Sequence, residues 1–154
     1  MPGRDPSKDG MRRTMKAPGP TIAVTRRFTF SAAHRYARPE WSDAENRAHF
    51  GPVASIHGHT YTLEVTVRGP VDPDTGMVID LDELKRVVGE TVLARFDHAF
   101  VNDDPAFPPG VLPTTENLVR VAWDLLVAKL GADRLANLRL WEDPTLYVDY
   151  RGEA

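Results

Sequence analysis

Residues 57–68 read HGHTYTLEVTVR. His57, His59, Tyr61, Leu63, Val65 and Val67 fall on one face, and Thr60, Thr62, Glu64, Thr66 and Arg68 on the other. Period-two alternation of this kind is the signature of a half-buried β-strand. The apolar face begins with two histidines around one glycine. Any core this strand covers therefore carries imidazoles at one end.

Working outward, Gly69-Pro70 stops the strand, and PVDPDTG (70–76) is turn chemistry. MVID (77–80) is then expected as the return strand of a hairpin. Upstream, TIAVTRRFTFSAAH (21–34) places Phe28, Phe30, Ala32 and His34 at period two and reads as another strand. Residues 35–56 form a long connection with a short helix expected inside it. Loops this long in compact domains are often functional.

Downstream, DLDELKRVVGETVLARF (80–96) carries an apolar stripe of Leu84, Val87, Val88, Val92 and Phe96, with Asp80 or Asp82 as cap. A Pro-rich loop, 97–112, leads to a second helix that Thr114 or Thr115 caps and Gly131 ends. LANLRLWED (135–143) and PTLYVDYRG (144–152) read as two closing strands. Strands flanking a pair of helices predict an α+β fold, with helices on one face of an antiparallel sheet. Residues 1–20, rich in Pro, Gly and charge, are expected as a disordered tail, and 21–154 as a single domain.

Composition narrows the function. The chain has 154 residues, room for one domain with a core. Net charge is −3 and no basic stripe stands out, which argues against a nucleic-acid partner. No run approaches the roughly 20 apolar residues of a membrane helix. The tail lacks the apolar stretch of a signal peptide, so a cytoplasmic location is expected. There is no cysteine, hence no disulfide, thiolate ligand or cysteine nucleophile.

Residues i and i+2 of a strand point the same way, about 6.6 Å apart. His57 and His59 can thus lean onto one ion, and His34 can bring a third nitrogen if its strand lies alongside. Three histidines and an open position suit a catalytic zinc site. The same spacing suits two half-buried histidines that only make hydrogen bonds, and it does not separate zinc from other imidazole-binding metals. Asp97-His98 suits an acid–base pair, or a polar pair at a helix end. Glu142 suits a ligand-anchoring carboxylate, or an edge-strand charge. Thr114, Thr115 and Glu116 read first as a helix cap whose N–H groups can also hold part of a ligand. For 97–98 and for Glu142 the plainer reading leads on the residues alone.

FSAAH (30–34), HGHTY (57–61), TGMVIDLDELK (75–85), FDHAFVN (96–102), PTTENL (113–118) and WEDP…YRGE (141–153) together resemble the 6-pyruvoyl- and 6-carboxy-tetrahydropterin synthase family, over roughly 24–153. The resemblance implies a tunnelling fold: a four-stranded antiparallel sheet with two helices on one face. It implies subunits joined into a barrel, most often a hexamer built as a dimer of trimers, with sites between subunits. It implies a small-molecule pterin substrate, 7,8-dihydroneopterin triphosphate, and a place in tetrahydropterin or queuosine biosynthesis. By position, His34, His57 and His59 match zinc ligands, and Asp97 and His98 match an acid–base pair contributed by a neighbouring subunit. Glu142 matches the pterin-anchoring carboxylate, and Thr114, Thr115 and Glu116 the segment that helps hold the ring. The implied activity is that of a carbon–oxygen lyase forming a 6-pyruvoyl-, 6-carboxy- or 6-hydroxymethyl-pterin.

One departure stands out. The family places a proton-abstracting cysteine just upstream of HGH, whereas this chain has Val53 or its neighbours there. Thr60 also replaces the asparagine common after HGH. Glu45, His49 and Ser55 are the nearest substitutes, each equally suited to the surface, and His98 acting alone is a further candidate. Two alternatives follow: a diverged zinc enzyme on another substrate, or a non-catalytic pterin-binding protein.

Overall fold

A computed structural model of the protein describes residues 17–153. Two long strands organise it. β1 (Thr21–His34) pairs antiparallel with β2 (His57–Pro70) along its whole length, from Thr21 opposite Pro70 to His34 opposite His57. β2 pairs with β4 (Leu135–Asp143), and β4 with β5 (Leu146–Tyr150), both antiparallel. These are the four antiparallel strands expected. A two-residue β3 (Ala99–Phe100) adds a fifth, parallel to β1 at Ala32 and Ala33, giving the order β3-β1-β2-β4-β5.

The period-two pattern decides which face is covered. Phe28, Phe30, Ala32 and His34 of β1, Tyr61, Leu63, Val65 and Val67 of β2, and Leu138 and Leu140 of β4 are all buried. Two helical segments lie over them. One runs through α2 (Leu81–Val88), a π-helical turn (Gly89–Leu93) and α3 (Ala94–Phe96), and contributes Leu84, Val87, Val88, Val92 and Phe96. The other is α4 (Thr115–Leu130), which contributes Leu118, Ala122, Leu126 and Leu130. Full burial of each such side chain contributes roughly 1.5–3 kcal/mol. The opposite face is polar, with Thr25 bonded to Thr66 and Arg27 to Glu64 across the strands.

The connection after β1 holds the expected short helix, α1 (Asp43–Phe50). Ser42 and Glu45 close a reciprocal cap at its start.

The return strand expected at 77–80 does not form. β2 already has β1 on one side and β4 on the other, so no edge is free for a hairpin partner. The segment instead closes a local turn, with Asp72 N–H donating to Met77 O at 3.0 Å. Ile79 alone points into the core, and Asp80 caps α2 by accepting from Asp82 N–H at 2.9 Å. Of the expected tail, residues 1–16 lie outside the described residues. Gly19 N–H bonds Val71 O at 3.0 Å and Val71 N–H bonds Pro20 O at 3.1 Å, which carries the β1–β2 pairing outward by a step. No helix among the described residues is long and apolar enough to cross a membrane.

Candidate active site

The antiparallel register brings the three histidines together. His34 stands opposite His57, and Ala32 opposite His59, so all three side chains rise on the core-facing side at one end of the sheet. Ring centroids are 4.5 Å apart for His34–His57, 5.2 Å for His34–His59 and 5.1 Å for His57–His59. Gly58 lets the strands pack closely between them: a Cβ there would come 3.2 Å from the Ala32 carbonyl oxygen, a tight contact.

The tautomers follow from the partners. His34 Nδ1 is 2.8 Å from Pro113 O, and His57 Nδ1 is 2.8 Å from Ser55 O. A carbonyl only accepts, so each Nδ1 carries the proton and each Nε2 presents a lone pair. His34 Nε2 and His59 Nε2 are buried without a hydrogen-bond partner. Burial, with the neighbouring histidines adding to it against the Pro113 bond, holds His34 below the ordinary histidine range. One nitrogen from each ring lies within 4.8 Å of the others. Tetrahedral zinc needs nitrogens roughly 3.3 Å apart, a matter of small ring rotations. Two imidazoles bonded to carbonyls on their outer side, and two inner nitrogens left without a partner, make a donor set that a metal satisfies. The residues fit a zinc ion.

A second group closes on this cluster from β4 and α4. Glu142 Oε1 lies 3.2 Å from His59 Nε2, without a hydrogen bond forming between them. Its other oxygen accepts a hydrogen bond from the Thr115 hydroxyl. Thr115 is buried at the first residue of α4. Thr114 caps that helix by accepting from Asn117 N–H at 3.2 Å, so the cap reading holds for Thr114. Glu116, one residue on, is exposed.

Two tyrosines that sequence reasoning did not assign to the site also belong here. Tyr61 is fully buried, its oxygen 3.4 Å from His34 Nδ1. Tyr36, half-buried, packs edge-on to His34 with centroids 5.2 Å apart. Burial first, then the Glu142 and Glu116 charges, pushes its phenol up to about 12, so it stays neutral. The period-two rule that selects His34 would have reached Tyr36 two residues on, had it been carried past the strand end.

Asp97 and His98 lie apart from the cluster, where the chain leaves α3 for β3. Asp97 accepts from Ser31 N–H at 2.9 Å and lies 3.1 Å from His98 Nδ1. The Ser31 bond, with His98 adding to it, holds Asp97 below its usual range. His98 takes a φ of 60°, in the left-handed region, and its own N–H donates to Ser31 O at 2.6 Å. Its side chain is 84% exposed and borders an open depression along Ser31, Ala33, Gly58 and Thr60. The pair is anchored to β1 yet faces outward.

The loop before β2 carries no substitute thiol or carboxylate aimed at the histidines. Glu45 accepts from Ser42 N–H in the α1 cap, and that bond, foremost, lowers it. His49 is exposed and stacks edge-on against Trp41 and Phe50. Ser55 is exposed and serves His57 through its carbonyl. Val53 O accepts from Tyr36 N–H at 2.9 Å.

Comparison with known proteins places this arrangement. The sequence model of the family described as 6-pyruvoyl tetrahydropterin synthase matches residues 23–153. The 6-pyruvoyl tetrahydrobiopterin synthase of Drosophila melanogaster is 40% identical over 136 residues, covering 86% of this chain and 81% of that protein. A more distant relative, the 6-carboxy-5,6,7,8-tetrahydropterin synthase of Haemophilus influenzae, is 26% identical over 148 residues, covering 83% of this chain and 97% of its own. The solved 6-pyruvoyl tetrahydropterin synthase of Caenorhabditis elegans superposes with a TM-score of 0.80 at 33% identity, over 90% of this chain and all of that one (100%). The fold and the length matched leave one assignment: the chain belongs to the 6-pyruvoyl tetrahydropterin synthase family of lyase-type enzymes.

Proposed function

We propose that the protein is a zinc-dependent pterin synthase-type lyase acting on 7,8-dihydroneopterin triphosphate. The observation that carries this reading is the convergence of three histidines with Glu142 and Thr115 at one end of the sheet. His34, His57 and His59 hold the metal, which when bound polarises the oxygens of the substrate side chain and eases loss of neighbouring protons. Glu142, fixed by Thr115, accepts the adjacent N–H donors of the pterin ring. Charge-assisted bonds of this kind are the strong ones and set the ring's orientation. Thr114 and Glu116 shape the start of α4 beside it.

Asp97 and His98 form the proton-transfer pair. His98 is turned outward at a sheet edge, which supports its working in the site of a neighbouring copy within a barrel, most simply a hexamer of two stacked trimers. Asp97, bonded to Ser31 and beside Nδ1, would hold the imidazole in one orientation, leaving Nε2 to take or return a proton.

A second reading has one observation in its favour. Val53 stands in the loop where the family carries a thiol, and neither Glu45 nor His49 is turned to the histidines. A diverged zinc enzyme on another substrate would need no thiol there. Incubating zinc-loaded protein with 7,8-dihydroneopterin triphosphate, with and without acetaldehyde, separates the two by mass spectrometry. A pyruvoyl, carboxy or hydroxymethyl pterin product is expected. Intact zinc binding with no turnover would shift the assignment to the second reading.

A further inference from the structure

Tyr36 bridges parts of the site that nothing else connects. Its ring lies 5.2 Å from that of His34, and 6.2 Å from those of both His57 and Phe50. Its backbone N–H is spent on Val53 O, which ties the end of β1 to the loop before β2 and sets the ring's position. At the far end, its phenol lies close enough to Glu142, Glu116 and the backbone of Thr115 to feel them. The phenol therefore runs from the histidine cluster to the start of α4. Tyr61, by contrast, is sealed in the core at 0% exposure and is out of reach of a ligand.

A phenol hydroxyl donates one proton as well as accepting, and that proton needs a partner. Among the described residues no protein oxygen takes that proton. A half-buried O–H without a protein acceptor hydrogen-bonds to water or to a ligand. Glu142 is an acceptor and suits ring N–H groups. Tyr36 is a donor beside the histidines and suits an oxygen of whatever side chain the ring carries toward them.

We propose that Tyr36 is a substrate-contacting specificity residue: its hydroxyl donates to a side-chain oxygen of the bound pterin, between the histidine cluster and Glu142. The site thereby selects pterins with a hydroxylated side chain over bare or alkylated rings. This rests on the pterin reading above.

The test compares neopterin, which carries a trihydroxypropyl chain, with 6-methylpterin, which does not. Affinities are measured for the parent chain and for Tyr36→Phe, each loaded with Co2+ so that the visible spectrum reports the histidine site independently of activity. Loss of one neutral hydrogen bond is expected to weaken neopterin about 3- to 10-fold in Tyr36→Phe. Affinity for 6-methylpterin and the Co2+ spectrum should stay as in the parent. Equal affinities of both proteins for neopterin would overturn the proposal. So would equal weakening of both ligands, or a changed Co2+ spectrum, since Tyr36 would then act on the ring or through the histidines. A parent chain that binds neither pterin would overturn the pterin reading and this inference with it, whereas an effect confined to neopterin supports both. Tyr36→Leu removes the ring as well and should weaken both ligands, which checks that the phenol lines the site.

Discussion

The histidine cluster and the Asp97–His98 turn both depend on β1, but they are built differently. The cluster is assembled inside one chain by antiparallel register: His34 opposite His57, His59 opposite Ala32, with carbonyls of Pro113 and Ser55 fixing two of the rings. Nothing in it waits for another molecule except a metal. The Asp97–His98 turn is held just as firmly by Ser31, on both sides of one backbone unit, yet its imidazole projects outward. A cluster sealed in the fold beside a pair facing out is the division that the proposed function requires of a site shared between subunits.

That contrast can be broken in order of effect. Replacing His34 by Ala should abolish metal retention and reduce turnover to background. Altering only an outer partner of a metal ligand already costs 10–100-fold in affinity, and losing a buried ligand costs more. Co2+ titration with assay of the same samples measures this, and a variant that still titrates at parental affinity would remove His34 from the metal site.

Replacing His98 by Ala should slow turnover by about 10²–10⁴-fold while the Co2+ spectrum stays unchanged. The sharper version mixes subunits. His34→Ala and His98→Ala proteins, each strongly impaired alone, should regain activity when dissociated and reassembled together, because some sites then combine an intact cluster with an intact partner turn. Absence of recovery in verified mixed oligomers would mean that both halves serve one chain.

Next in size is Thr115→Val, which removes the hydroxyl that holds Glu142. Hydrogen bonds to charged groups contribute about 1.5–3 kcal/mol, so pterin affinity should fall at least about tenfold, with metal binding retained. Pterin binding at parental strength would show that Glu142 is positioned by other contacts.

The smallest expected effect is on acid stability. The Ser31 N–H holds folded Asp97 below its unfolded value. A carboxyl with a depressed folded pKa contributes stability above its unfolded value near 3.8, and that contribution is lost as pH falls through the folded one. Asp97→Asn should therefore flatten part of the acid limb of a Tm-against-pH curve and leave neutral pH behaviour close to parental. An unchanged acid limb would mean that the Ser31 bond carries no stability.

Much of this was legible in the residues because it is periodic. HGHTYTLEVTV states which side chains share a face, and the same rule placed Phe28, Phe30, Ala32 and His34 together. Asp80 or Asp82, and Thr114 or Thr115, announced the two helix starts, and the structure caps them with Asp80 and Thr114, because a cap needs only a side-chain oxygen and the next turn. The ordered motifs carried the family resemblance. The return strand at 77–80 was misread for the converse reason: turn residues predict a reversal, but whether a strand follows depends on a free edge, and β4 had taken it. Tyr36 escaped notice because it lies past the last residue of β1, where alternation no longer guides the eye.

The sequence by itself determined the faces: which residues of each strand and helix turn inward, where three histidines lie along them, and which family the chain joins. Only the tertiary structure decided the neighbours. Pro113 comes to His34 across 79 positions of chain, and Thr115 to Glu142 across 27. It also turned His98 outward. The physical reason is range. Facing is set by backbone geometry over two to four residues, whereas the order of strands, and hence which loop ends above the histidines, is set by how the whole apolar surface is buried at once.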